Sequence, residues 1–279
     1  MTDHPFERIL LATEHTEFDV GAEAVALELT RRCGVPLAAV LPIVTNPEYE
    51  VTDPALARSV EHLASAGGEA LRAAAAAAGV ELDLSIQRGE EAYREIVAEA
   101  RARRADLIVA RRRGKQGFLA RAMVGEMVGN VVREAPCSVL LVPRACRMWN
   151  TRILVAVDDA PTASGVVAAA IRVAAGCGLP LVVASVAAQD TTSARAHADA
   201  AADAGLRAVE AAGAHGERRV VVGPPAERIA ALAGDTGADL IVVGRGGSHS
   251  ALRRMVFGGT ARRIVGLAAC PVLIVAASG

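Results

Sequence analysis

The stretch TRILVAVDDA (Thr151–Ala160) repeats ERILLATEHT (Glu7–Thr16), and this recurrence decides the fold. Two more pairs follow in the same order. ADLIVARRRG (Ala105–Gly114) returns as ADLIVVGRGG (Ala238–Gly247), and APCSVLLV (Ala135–Val142) returns as AACPVLIV (Ala268–Val275). The copies are offset by 144 residues at the start and 133 later, so the repeat unit is a whole domain with one shortened middle segment. A period of that length means two complete folds rather than a solenoid. The expected domains are residues 1–147 and 148–279.

Each unit is long enough to bury a core. Hydrophobic residues make up 52% of the chain but aromatics only 3%, so the core must be built from Ala, Val, Leu and Ile. That composition suits helices packed on a parallel sheet. The net charge of −1 divides into −3 for residues 1–147 and +2 for 148–279, and neither half is basic enough to suggest nucleic acid. Five cysteines without metal-site spacing point to a reducing cytosol and to no disulfide framework. No apolar run reaches the roughly 18 residues of a membrane span, and the opening MTDHPFERI lacks a basic-then-apolar signal. A soluble, cytoplasmic protein without membrane or nucleic-acid partners is the expectation.

Within each copy, short β-branched runs alternate with Ala- and charge-rich stretches of helical period. Five strands and four helices per copy follow. In the first copy the strands are expected near 8–13, 37–41, 82–86, 106–110 and 138–142, and in the second near 152–157, 181–186, 218–222, 240–243 and 271–275. Consecutive apolar positions, as in LIVVG, fit a sheet covered on both faces. The predicted architecture is α/β, two tandem doubly wound, five-stranded, Rossmann-like domains, with ligands expected outside the strands' carboxyl ends where the strand order reverses. Pro143–Thr151 reads as the linker, with the only Trp, Trp149, packed rather than ligand-bound.

In the second copy the fourth strand runs into Gly244-Arg245-Gly246-Gly247, and ten residues later Gly258-Gly259-Thr260 opens a helix. Glycines let backbone approach an anion without a Cβ in the way, and successive N–H groups at a helix start supply donors. A plain turn at a strand end is the competing reading. No Gly-x-Ser-x-Gly elbow or Walker-type loop is present, and the six histidines lack ligand spacing, so neither a catalytic residue nor a metal site is assigned.

The order of strand, Asp, Asp-Leu-Ile-Val-Val-Gly, two glycine turns and Cys-Pro-Val-Leu-Ile-Val resembles the universal stress protein family over about Glu7–Ala277, as a tandem member. In that family some members bind ATP through an Asp after strand one, a first glycine turn and a later Gly-(Ser/Thr) turn; others lack the glycines and do not bind. The resemblance implies a stress-response regulatory protein with an ATP site at Asp158, Val186, Gly244, Gly247, Gly258, Gly259 and Thr260; Mg²⁺ is the ion a nucleotide usually brings with it. Two departures stand out. Ten residues rather than nine separate the turns, and Gly259 replaces the expected Ser or Thr, with Thr260 one place later. The first copy departs further, with Glu14 at the Asp position, Arg111 for the first glycine and Glu126 for the hydroxyl residue, while Gly114 and Gly125 remain. A carboxylate there repels phosphate, so the first domain is expected to be degenerate, with Arg111, Arg112, Arg113 and Lys115 solvated, paired with Glu14 and Glu126, or holding a different anion. The resemblance also implies an internal pseudo-dimer through the last strands, and a homodimer of tandem chains stays open. The alternatives are a protein-interaction module that binds no nucleotide and, more weakly, a slow ATP hydrolase or phosphotransferase.

Overall fold

The computed structural model describes residues 4–45, 54–112, 125–246 and 257–276. Two compact units divide most of them, one over 6–112 and 126–148, the other over 149–246 and 257–276.

The first unit holds β1 (Ile9–Ala12), α1 (Val20–Cys33), β2 (Leu37–Val44), α2 (Pro54–Ala77), β3 (Leu82–Gly89), α3 (Ala92–Ala102), β4 (Leu107–Arg111), α4 (Glu126–Glu134) and β5 (Ser138–Val142). Its strands lie in the order β3-β2-β1-β4-β5, all parallel, with Ala12 opposite Ala110 and Leu107 opposite Ser138. The chain winds one way from β1 to β3 and the other from β4 to β5. The order therefore reverses between β1 and β4, which is where such a sheet opens a crevice.

The second unit repeats the plan with β6 (Ile153–Ala156), α5 (Ala163–Cys177), β7 (Leu181–Ala187), α6 (Thr192–Ala211), β8 (Gly216–Val222), α7 (Pro225–Thr236), β9 (Leu240–Gly244), α8 (Gly259–Leu267) and β10 (Val272–Val275). The strand order is β8-β7-β6-β9-β10, again parallel, with the reversal between β6 and β9.

The strands β1, β4, β9 and β10 are buried almost end to end, as continuous Val/Ile/Leu runs on a two-sided sheet should be. Helices α1, α5 and α7 close on Gly34, Gly178 and Gly237, each in the left-handed region that a Cβ disfavours. With few aromatic side chains to fill gaps, helices must approach the sheet closely. A Cβ at Gly205 of α6 would lie 2.7 Å from Val183 Cγ1, and one at Gly21 of α1 only 2.1 Å from the Pro143 carbonyl oxygen.

The Asp of each Ala-Asp-Leu-Ile-Val motif has a structural role. The Asp106 carboxylate accepts from the N–H groups of Glu7 (2.8 Å) and Arg8 (3.1 Å), at the entry to β1. Asp239 does the same at the entry to β6, accepting from Asn150 (2.7 Å), Thr151 (3.0 Å) and Arg152 (3.2 Å). Trp149, just before them, is buried. Among the described residues, no helix is long and apolar enough to cross a membrane.

Candidate functional site

The crevice of the second domain opens where β6 and β9 end. β6 leads into Asp158, whose Oδ1 accepts from the Ala160 N–H at 3.1 Å and so tightens the turn into α5. β9 leads into Gly244, Arg245 and Gly246. The Gly258 N–H donates to the Arg245 carbonyl at 3.0 Å, bringing the second glycine turn back against the first. The first bond of α8 runs from the Arg262 N–H to the Gly258 carbonyl, so the N–H groups at the start of the helix have no partner within it. Gly258 offers no side-chain cap and the first turn of α8 carries no acidic residue. The positive end of the helix is thereby left to whatever enters the crevice.

Asp158, Val186, Gly244, Gly258, Gly259 and Thr260 line one cleft of about 210 Å³. Gly247 lies outside the described residues. Val186, Val243 and Ile229 give an apolar wall opposite the polar turns. A Cβ at Gly244 would stand 3.2 Å from Val166 Cγ2, so the backbone there runs against α5 with little room. A Cβ at Gly259 would meet nothing within 4 Å.

The first domain places a guanidinium at the matching strand end. Arg111 ends β4 as Gly244 ends β9, and its side chain is buried. The guanidinium donates to Glu14 Oε2 (2.7 Å), Asp19 Oδ2 (2.7 Å) and Thr16 Oγ1 (2.9 Å). Asp19, only 1% exposed, also accepts from the Thr16 N–H and hydroxyl, at 2.9 and 2.6 Å. Pairing with Glu14 was expected, whereas Asp19 replaces Glu126 as the second carboxylate. Glu126 stands exposed in the first turn of α4. Arg113, Gly114 and Lys115 lie outside the described residues.

Beside this cluster His15 adopts φ 52°, unusual for a residue with a Cβ. Its Nδ1 lies 3.0 Å from Glu23 Oε1, which also accepts from the Thr13 hydroxyl at 2.6 Å. Of the residues that sequence reasoning missed, Thr16 and Asp19 belong to the β1–α1 turn and Glu23 to the first turn of α1. A signal existed for Asp19, because Ala163 stands at the repeat offset. Among the described residues no group of three His, Cys, Asp or Glu side chains is arranged to hold a metal ion.

The universal stress protein family matches residues 5–143 and again 150–276. The chain belongs to the universal stress protein family, as two tandem domains. A universal stress protein from Archaeoglobus fulgidus DSM 4304 superposes with a TM-score of 0.76 at 17% identity, covering 99% of this chain and 98% of that one. A functionally unknown protein from Pseudomonas aeruginosa PAO1 gives 0.69 at 18%, covering 99% and 94%. A universal stress protein from Archaeoglobus fulgidus in complex with dAMP matches 45% of this chain and 97% of its own, at 25% identity and a TM-score of 0.39. No curated protein sequence matches. At these identities the first two superpositions establish the tandem fold of this universal stress protein.

Proposed function

We propose that the second domain of this universal stress protein binds an adenine nucleotide, ATP with its Mg²⁺, and that the first domain is a non-binding regulatory partner. The observation that carries the reading is the meeting of two glycine turns over the uncapped start of α8, inside a cleft with one apolar wall. Backbone N–H groups at Gly259 and Thr260 and the helix dipole would hold phosphate oxygens. A base would lie against Val186, and Asp158 would accept from ribose hydroxyl or amine donors near the end of β6. Gly244 fits this role because its backbone can approach a ligand with no side chain between them. The role assigned to the cleft is binding rather than turnover.

Calorimetric titration of the full chain with ATP–Mg²⁺, repeated on Gly258→Asp, tests this. One equivalent bound by the wild type and none by the variant is the expected result, since an added carboxylate at the helix start opposes the phosphates. Absence of heat in the wild type, at concentrations able to detect micromolar binding, would leave the interaction module. Two equivalents would overturn the assignment of the first domain.

A further inference from the structure

The crevice of the first domain is occupied by the protein itself, and the way it is occupied has chemical consequences. Arg111, 3% exposed, places one guanidinium between two carboxylates and a hydroxyl, all from the turn joining β1 to α1. Glu14 lies at the rim and Asp19 at the bottom. The planar guanidinium suits this arrangement, since its separate N–H groups reach three acceptors in different directions, which a lysine ammonium on a flexible stem would satisfy poorly. Both carboxylates share this one guanidinium. Asp19 Oδ1 is buried and, among the described residues, has no hydrogen-bond partner. An entering phosphate would meet the Glu14 carboxylate at the rim, and Glu126 in the first turn of α4 where α8 has no acidic residue.

We infer that Arg111 acts as an internal ligand of the first domain: its guanidinium fills the crevice, closes it to anions and fixes the β1–α1 turn without any bound molecule. The turn needs fixing, because it contains His15 in a left-handed conformation, held by the Thr13–Glu23–His15 hydrogen bonds on one side and by the Arg111 cluster on the other. Residues Glu14, Thr16 and Asp19 alternate with Thr13 and His15 along this short segment, so the two networks share one backbone. The inference concerns the first domain alone and stands whether or not the second takes a nucleotide.

The test is Arg111→Gly in the full chain, with chemical rescue. Removing the guanidinium leaves Asp19 buried without its counter-ion, and the melting temperature of the first domain is expected to fall by about 10 °C. Hydrogen exchange in peptides covering residues 7–33 should accelerate in parallel. Millimolar methylguanidinium, far below denaturing concentrations, should restore both readings. An unchanged melting temperature or failure of methylguanidinium to rescue would overturn the inference. If Arg111→Gly does not fold, Arg111→Gly with Glu14→Gln lowers the uncompensated charge and keeps Asp19. Methylguanidinium must still slow exchange in residues 7–33 of that variant, and no response would overturn the inference equally.

Discussion

Arg111 and Gly244 end equivalent strands, β4 and β9, in domains of the same topology, and one brings a buried guanidinium to the strand end while the other brings no side chain. The pairing registers agree, with Leu107 opposite Ile9 in the first domain and Leu240 opposite Ile153 in the second. The same backbone position therefore carries opposite consequences for a ligand.

Gly244→Arg should close the second crevice. Its Cβ would already press on Val166, and no carboxylate stands in the first turn of α5 to receive the guanidinium as Asp19 does. Nucleotide affinity is expected to fall at least about a hundredfold, a loss of roughly 3 kcal/mol. Titration calorimetry reads this directly, and retained affinity would show that the ligand does not pass over β9.

Gly259→Ser should strengthen binding. The position faces open space, so a hydroxyl can be added without displacing a neighbour. A hydrogen bond to a charged phosphate oxygen contributes about 1.5–3 kcal/mol, or roughly tenfold or more in affinity. No gain in the titration would mean that the phosphates lie beyond reach of this residue.

Asp239→Ala should destabilise the second domain by about 2 kcal/mol, because the N–H groups of Asn150, Thr151 and Arg152 lose their acceptor together. Asp106→Ala removes two such bonds from the first domain and should cost less. Denaturant midpoints of the two variants provide the comparison, and equal shifts would argue against a count of bonds as the cause.

Glu28 gives a pH-dependent contribution of known sign. Hydrogen bonds from Arg31, then from Arg32, hold its carboxyl below the ordinary glutamate range. A carboxyl lowered in the folded state stabilises above its unfolded value, and that stability is lost as pH falls through the folded value. Glu28→Gln should therefore cost a few tenths of a kcal/mol near pH 7, small because the pairs face solvent, and less near pH 4. Urea unfolding at both pH values checks the sign.

Most of the architecture was legible because the copies corroborate each other. A run such as ADLIV is ambiguous alone, but its return at the domain offset, followed by an apolar strand, fixes it as an inner parallel strand. Boundaries moved by only a few residues, as where β8 begins at Gly216 rather than near Arg218. The second crevice was legible for a related reason, since turns at strand ends are fixed by topology once the strands are known. The Arg111–Asp19 pair was not. Its partners are 92 positions apart, both are charged residues that surface helices and loops carry in quantity, and only burial distinguishes a keystone from a solvated pair.

The Arg111 cluster also bears on how two such copies can drift apart. Once a buried guanidinium answers to Asp19, replacing the arginine alone strands that carboxylate, at a cost of about 3–5 kcal/mol. A return to an open first crevice would need both changes at once. Divergence between the duplicated halves thus has the character of a ratchet, and the copy that accepted an arginine at the end of its fourth strand has no downhill single step back to glycine.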